Sequence, residues 1–377
     1  HGTWDTTTTT APSPTTSTLT LEESLCAVMS QPDVASKEWF FRQKDPSVKG
    51  ATIQGPLIGL KQEVEADATI QKPLATEGKD HGAIAYALGL APKVSDIDPY
   101  LGAQKAFFDM VGKIVAVGGA LPDMEKAGWD AWAVCGNTCQ PNSDSTTTLT
   151  PQSGERNLAA LVREFIGVRE AVEAFNIPVI SGKDSMKCSC IYDVDETFTL
   201  DDVPADLRRH IKLVDKGAGK RAIEIHDPPS YLASAAVKIQ DYRKCVDSAF
   251  KHEGDFIYVV GTTKDHMGAS QYNSALGYKE HGAPLQGGNG PKADFDEFKD
   301  IAARLHDTID NELVASCSYI HAGGLATTIA KAAMAGEKGA TIATEFITYE
   351  GNDNDDATRL YGETPGRFVV TVAPHNT

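Results

Sequence analysis

The chain has 377 residues and a formal net charge of −17, from 35 Lys and Arg against 52 Asp and Glu. Its length predicts about two domains at roughly 100–200 residues each. The acidic excess argues against a nucleic-acid partner or an anionic membrane surface, because both need clustered Lys and Arg. No apolar run is long enough for a transmembrane helix, no signal-peptide core is evident, and the seven Cys are typical of reduced thiols. We therefore expect a cytoplasmic protein.

The amino-terminal region falls into two parts. Residues 1–18 are rich in Thr, Ser and Pro and predict a disordered leader, because they cannot bury apolar surface. Residues 19–49 predict a linker with a first helix. Thr20 and Glu23 have the spacing of a capping box, in which each side chain binds the other residue's backbone N–H.

Residues 50–192 predict a first domain in which short apolar runs alternate with helical segments. The expected helices are 99–113 and 155–175, and the short apolar or strand-like runs are 84–90, 114–117, 129–134 and 177–180.

Residues 193–222 are charged and poorly periodic, which predicts an insertion or an interdomain link. Residues 223–377 predict a second α/β domain. Its expected helices are 294–313 and 325–334, its expected strands are 255–260, 314–317 and 340–343, and a flexible loop is expected over 281–291.

Several common site motifs are missing. The sequence lacks a Walker phosphate loop, a spaced G-x-G-x-x-G, H-E-x-x-H and G-x-S-x-G. Cys135, Cys139, Cys188 and Cys190 could form a zinc site, but C-x3-C and C-x-C are unusual spacings for one. Thiols near strand ends commonly fill the core, so we favour a structural role for these cysteines.

A loop of small hydroxyls, a glycine, a cation and a carboxylate is expected after the last strand of the first domain. Gly182 would let a phosphate or ribose approach the backbone, and Ser181 and Ser185 can donate to phosphate oxygens. Lys183 can neutralise phosphate charge and Asp184 can hold Mg²⁺. Ligands of α/β sheets favour the carboxyl ends of strands. The alternative, of equal weight, is a polar turn closed by a surface Lys183–Asp184 pair.

A second candidate is the glycine pair Gly323-Gly324, where a strand meets a helix. Glycines at a helix N-terminus expose free N–H groups that can bind a phosphate. The alternative, at least as good, is that both glycines serve a tight turn and close packing.

Other polar residues have structural interpretations as good as functional ones. His81 and His321 could be acid–base groups, but each alone is more often structural. Glu363 and Arg367 flank Thr-Pro-Gly and could pair with each other. Asp96 and Asp98 could supply carboxylates to Mg²⁺, but an Asp before a proline at a helix start is commonly a cap.

Seven segments, taken together and in order, resemble the second half of phosphoribosylformylglycinamidine synthase over about residues 20–375. These segments are SKEWFFRQKD (36–45), DIDPYLGAQKAFFDMVGKIVAVGG (96–119), NIPVISGKDSM (176–186), GDFIYVVGTTKDHMGASQY (254–272), GGNGPKAD (287–294), CSYIHAGGLATTIAKAAMAGEKGA (317–340) and GETPGRF (362–368).

The resemblance implies an AIR-synthase-like, PurM-like α/β (α+β) unit, with an N-terminal mixed-sheet domain and a C-terminal α/β domain. It implies ATP-dependent amidation of formylglycinamide ribonucleotide (FGAR) in purine biosynthesis, with ATP/ADP and Mg²⁺ as cofactors. A phosphoryl group activates the amide oxygen and ammonia then displaces it. The implied partners are a first-half AIR-synthase-like domain or a homodimer copy, and a glutaminase that supplies ammonia.

The resemblance also implies roles for individual residues. Gly182 matches a glycine that contacts nucleotide, and Ser185 matches the serine that contacts FGAR. Asp109 stands where a metal-binding Glu is usual, and Asp67 occupies the usual Asp-Ala-Ala-Val position. With the residue-based candidates, the expected nucleotide contacts are Ser181, Gly182, Lys183, Gly323 and Gly324, and the expected metal ligands are Asp67, Asp109 and Asp184.

The sequence departs from the family at several of these positions. Lys113 replaces an Asn metal ligand, Val134 replaces a nucleotide-contacting Asp, and residues 318–322 replace a His-Asp-x-Ser-Asp segment that carries two carboxylates. The family's catalytic His lies in the first half, which the resemblance does not cover. The carboxyl-terminal end also looks short by some tens of residues.

Three hypotheses follow. The chain could be part of an ATP-dependent carbon–nitrogen ligase, incomplete when alone, as the intact ISGKDS segment suggests. It could be a nucleotide-holding or structural half with an eroded Mg²⁺–ATP site, as the changed residues 318–322 suggest. A stand-alone relative, such as AIR synthase or a selenophosphate or thiamine-phosphate enzyme, shares the fold but lacks this order of motifs.

Overall fold

The computed structural model describes residues 19–47, 50–73, 81–122, 131–143, 154–203, 207–281, 288–292, 294–351 and 356–376. The expected disordered leader lies outside these residues, as does most of the expected loop at 281–291. Among the described segments, no helix has the length and apolar character needed to cross a bilayer.

The α-helices carry apolar residues at helical spacing and begin mostly at Asp, Ser, Thr or Pro. They are α1 (Leu21–Met29), α2 (Glu38–Phe41), α3 (Pro92–Ile97), α4 (Pro99–Ala116), α5 (Gly154–Phe175), α6 (Gln271–Leu276), α7 (Phe295–Asp310), α8 (Gly324–Gly336) and α9 (Asp356–Tyr361).

The strands are mostly short and rich in β-branched residues. They are β1 (Thr52–Gln54), β2 (Leu57–Ile58), β3 (Val64–Glu65), β4 (Thr69–Gln71), β5 (Ala83–Gly89), β6 (Trp132–Cys139), β7 (Val179–Ser185), β8 (Ser189–Val194), β9 (Ile211–Gly217), β10 (Lys220–His226), β11 (Ser230–Ile239), β12 (Phe256–Val260), β13 (Thr263–Lys264), β14 (Ser316–Tyr319), β15 (Tyr349–Glu350) and β16 (Phe368–Val372).

A six-stranded mixed sheet forms the first layer, in the order β1-β4-β5-β11-β6-β7. All its pairs are antiparallel except β6 with β7. Helices α4 and α5 pack together, and α4 packs on β5 and β11. One face of the sheet is therefore buried and the other is open. Buried residues accordingly alternate with more exposed ones along β6 and β11. The expected mixed-sheet fold class is confirmed.

Helix α4 is the centre of the core. Asp98 caps its N-terminus by accepting from the Tyr100 N–H at 3.0 Å, and Pro99 supplies a suitable first residue. The expectation of a strand at 114–117 is wrong, because residues 114–116 continue the same helix and are buried. A short β-branched run has no period of its own, so its helical neighbours decide its structure.

The polar region after β7 contains a small sheet. Strands β8, β10 and β9 pair in that order, and the expected domain start at Ile223 falls inside β10. Strand β11 then returns to the centre of the six-stranded sheet. The division at 222 therefore separates strands of one sheet. The sequence did not predict these strands, because the small sheet is largely solvent-exposed and its charged residues lack an apolar alternation.

The carboxyl-terminal region has a three-stranded sheet, β12-β16-β14, with both pairs antiparallel. The expected helices near 294–313 and 325–334, and the strands near 255–260 and 314–317, are present as α7, α8, β12 and β14. The expected strand at 340–343 is absent, because these residues have no ladder partner and lie beside the open edge of β12.

Two local features fix the start of α1 and the position of α4 against the second sheet. The predicted capping box at Thr20 and Glu23 is confirmed, with both reciprocal backbone bonds present. Between the two sheets, α4 lies against β14 at Gly112, where an added Cβ would come within 2.3 Å of the Tyr319 ring. Glycine at this position therefore permits the close approach of the two regions.

Candidate functional site

A cleft of about 320 Å³ lies where the end of β5 and helix α4 meet the loop before α8. It brings together several expected site residues and a group of lysines. Its ionisable lining residues are Asp33, Lys37, Glu65, Lys93, Lys105, Asp109, Lys113, His321 and Glu363.

Asp109 is the expected metal ligand on α4, but it is already paired. Lys105, one helical turn earlier, places its Nζ 2.9 Å from both carboxylate oxygens of Asp109. Both side chains are more than nine-tenths buried. A cation binding at Asp109 would have to displace an ammonium group that is fixed by burial.

Asp67 does not line the cleft, and it accepts a hydrogen bond from the Ser318 hydroxyl at 3.1 Å. Burial raises the pKa of Asp67 to about 6, against the opposing pull of the Lys113 charge. Lys113 itself donates to the Leu88 carbonyl at 3.1 Å. An ammonium group thus occupies the position for which the resemblance implies a metal ligand.

His321 lies at the wall of this cleft, with its ring stacked on Tyr319 at 6.3 Å between centroids. Desolvation lowers its pKa well below the usual range, and the charges of Lys113, Lys331 and Lys105 act in the same direction. His321 is therefore a neutral imidazole at neutral pH.

Glu363 occupies the turn where the glycine pair was expected to hold a phosphate. Its Oε1 accepts from the Gln271 N–H at 2.8 Å and from the Gly323 N–H at 2.9 Å. Gly323 and Gly324 both have positive φ, and an added Cβ at Gly324 would lie 2.7 Å from the Tyr361 backbone. These contacts support the packing interpretation of the pair. Within this turn, a phosphate would compete with an internal carboxylate.

The expected pair of Glu363 and Arg367 does not form a direct bond. Arg367 is 1% exposed, and its guanidinium donates to the Thr364 carbonyl at 3.1 Å, to the Thr263 hydroxyl at 2.7 Å and to the Gly362 carbonyl. Both charged side chains therefore form hydrogen bonds with main-chain groups around the cleft.

The segment Ser181–Ser185 is a strand, so the expectation of a loop there is wrong. These residues belong to β7, which pairs with β6 and forms an open edge of the sheet. Lys183 donates to the Ser185 hydroxyl and forms no ion pair with Asp184, within the described part of the chain. The alternative of a turn closed by Lys183 and Asp184 is therefore wrong too.

The sheet register separates this strand from the cleft. Gly89, Ala233, Gly136 and Gly182 form one row across four strands. Three strand spacings place Gly182 about 14 Å from Gly89, whose neighbours line the cleft. The expected site residues consequently fall into two groups: the cleft, and the exposed strand β7.

The cleft residues do not fit Mg²⁺. In the described ranges no group of three or more His, Cys, Asp or Glu is arranged to hold a metal ion. Asp109 is neutralised by Lys105, Lys113 brings a positive charge near Asp67, and Asp184 lies on β7. Mg²⁺ needs several oxygen ligands, which this arrangement does not offer. The expectation that the cysteines near the strand ends fill the core is wrong for Cys135 and Cys190, which are exposed, while Cys188 lies beside Cys139.

Sequence reasoning missed two features of these sites. One is Lys105, which a search for opposite charges four residues apart on a helix would have found. The other is Glu164, which is fully buried among apolar residues of α5 and whose pKa burial raises to about 7. An acidic residue on the apolar face of a helix was the available signal.

The fold and the sequence comparisons define the class of protein. Residues 252–377 match the model of the AIR synthase related protein, C-terminal domain. The structure of T. maritima PurL complexed with FGAR matches with a TM-score of 0.55 and 14% identity, over 94% of this chain and 45% of that one. The fold is that of AIR-synthase-related proteins.

Within that class, the resemblance to phosphoribosylformylglycinamidine synthase is confirmed. The chain is 25% identical over 360 residues to the PurL subunit of this enzyme from Thermococcus sibiricus, covering 95% of the chain and 40% of the relative. It is 23% identical to the subunit from Methanocaldococcus jannaschii, covering 94% and 40%. The chain thus spans about two-fifths of the length of these relatives.

Proposed function

We propose that this chain supplies the second AIR-synthase-like half of an FGAM synthase, which converts FGAR to its amidine with ATP and ammonia. The observation that carries this proposal is similarity to PurL subunits along 95% of the chain. We place the boundary between the two domains after β11, since β11 belongs to the first sheet and the C-terminal family match begins at residue 252. The proposed location is the cytoplasm.

Ser185 and Gly182 are the proposed contacts to substrate and nucleotide, with Ser181 and Lys183 beside them. They lie on the exposed edge strand β7, where a second polypeptide can reach them. Edge strands with free backbone groups favour pairing with another chain. The site is therefore proposed to form between this chain and a first-half domain.

The open face of the six-stranded sheet is the proposed surface for that domain. Tyr86 and Leu88 are 41% and 53% exposed. Tyr86 and Leu88 alternate with buried residues of β5, so their side chains leave the sheet on the side away from α4 and α5. A row of exposed apolar side chains is typical of an interface.

The experiment is reconstitution. The chain should give no amidation of FGAR with ATP and ammonia when alone, and turnover should appear when a first-half PurL domain is added. Turnover by the chain alone would overturn the assignment of the missing catalytic group to the other half. Failure to associate, by size-exclusion chromatography, would overturn the proposed interface. Ammonia in the cell would come from a glutaminase partner.

A second candidate is a non-catalytic, structural half. The Lys105–Asp109 ion pair and the bond from Gly323 to Glu363 favour it, because both occupy expected ligand positions. Denaturing the purified chain and identifying any released nucleotide separates the two. Bound ADP would support a retained nucleotide site, whereas a chain with no ATP affinity would support the structural role.

A further inference from the structure

A buried polar relay joins α5 to the end of β7. The Thr138 hydroxyl donates to Glu164 Oε1 at 2.5 Å, and the Gln140 side-chain amide donates to the Thr138 oxygen at 2.9 Å. The Gln140 N–H then donates to the Ser185 carbonyl at 2.9 Å. The side chains of Gln140 and Thr138 donate toward the carboxyl, whereas the backbone N–H of Gln140 donates toward Ser185. Three hydrogen bonds and the side chain of Gln140 therefore link the carboxyl to Ser185.

These side chains are sealed from water. Glu164 is 0% exposed, Gln140 is 1% exposed and Thr138 is 3% exposed. Glu164 Oε2 and Gln140 Oε1 have no hydrogen-bond partner in the described part of the chain. Unpaired buried oxygens are costly, and a charged one is more costly still. The arrangement therefore suits a neutral carboxyl better than a carboxylate.

The surrounding charges do not offset an ionised Glu164. Tyr231, from β11, is neutral because burial raises its pKa to about 12. The neighbouring cation Arg163 is held by both oxygens of Asp98. Asp184 stands opposite Thr138 in the β6–β7 ladder and would add a like charge. Burial raises the pKa of Glu164 to about 7, against the opposing effect of the hydrogen bonds from the Thr138 and Gln140 side chains.

We propose that Glu164 is a positioning residue for Ser185. Acting through Thr138 and Gln140, its neutral carboxyl fixes the end of β7, and ionisation of that carboxyl loosens the strand. An effect of Glu164 on substrate binding depends on the proposed function, in which Ser185 contacts FGAR. The stabilisation of the end of β7 by Glu164 can be measured without substrate.

The test is hydrogen–deuterium exchange of the full chain, followed on peptides that contain the Gln140 and Cys188 amides. Both amides belong to this region, since the Cys188 N–H donates to the Gln140 carbonyl at 2.8 Å. After correction for intrinsic rates, local opening should increase by about tenfold between pH 6 and pH 8, because the open state favours the carboxylate. A wild-type protein without this step overturns the proposal.

Variants separate the relay from general stability. Glu164→Gln should abolish the pH step, because its amide stays neutral while Oε1 can still accept from Thr138. Glu173→Gln, an exposed position on the same helix, should keep it. A pH step that persists in Glu164→Gln contradicts the proposal. If Glu164→Gln does not fold, Thr138→Val replaces it, because this variant breaks the link and keeps the carboxyl. A pH step that persists in Thr138→Val also contradicts the proposal.

The effect of Glu164 on substrate binding is measured separately, as the pH dependence of FGAR affinity. In the complete two-half assembly, FGAR affinity of the wild type should fall from pH 6 to pH 8 more than that of Glu164→Gln. A pH step in exchange without any FGAR binding would overturn the proposed function and leave the relay standing. FGAR binding with no step in exchange would overturn only the relay.

Discussion

Lys105 holds both carboxylate oxygens of Asp109 at 2.9 Å, inside the cleft between the two sheets. The pair lies within one turn of α4, and both side chains are more than nine-tenths buried. The same residue is thus both the family's expected metal ligand and half of an ion pair. This relationship explains why the expected Mg²⁺ chemistry finds no complete ligand set here.

Removing Lys105 should be strongly destabilising. Lys105→Met leaves an unpaired buried carboxylate, with an expected loss of about 3–5 kcal/mol in the free energy of unfolding. Urea denaturation measures it. Lys299→Met, at an exposed ion pair, is the matched control and should change little. The double variant Lys105→Met/Asp109→Leu should recover most of the loss, and no recovery would contradict the ion-pair argument.

Burial of Asp67 should make the free energy of unfolding decrease as the pH rises. Its folded-state pKa is raised to about 6 from a usual 3.8, so its contribution is fully present below pH 3.8 and is lost as the pH rises through 6. The loss should amount to about 2–3 kcal/mol. Asp67→Asn should remove this part of the pH profile, measured by chemical denaturation.

The control for Asp67 is Asp296→Asn, whose side chain is 95% exposed. It should leave the profile between pH 4 and pH 6 unchanged. An unaltered profile in Asp67→Asn, with Asp296→Asn also unaltered, would show that another group titrates in this range.

The approach of α4 to β14 should be sensitive to one methyl group. Gly112→Ala would place a Cβ 2.3 Å from the Tyr319 ring, so overpacking should cost about 1–3 kcal/mol. Gly339→Ala is the control, because nothing lies within 4 Å of its added Cβ. Thermal unfolding of both variants measures the difference. Equal melting temperatures would contradict the close contact.

Ser185→Ala should weaken FGAR binding in the complete assembly. Loss of one hydroxyl hydrogen bond predicts about a 1–2 kcal/mol decrease in binding free energy, read by calorimetry. Ser30→Ala, at the end of α1, is the control and should leave affinity unchanged. Unchanged affinity in Ser185→Ala would remove the assigned substrate contact.

Local patterns in the sequence determined the long elements. The spacing of apolar residues predicted α5 and α7, and the Thr20–Glu23 spacing predicted the first cap, because both signals act within a few residues. The order of motifs also indicated the family. The run at 114–117 was misread because a strand and the end of a buried helix have the same composition.

Only the tertiary structure decided what the candidate residues contact. The sequence placed Asp109 and Lys105 one helical turn apart, but burial between two sheets makes their ion pair fixed. It placed Ser185 in a loop, whereas pairing with β6 makes that segment an edge strand. The internal carboxylate of Glu363 reaches Gly323 from forty residues away along the chain. Such contacts depend on packing between distant segments, which no local period encodes.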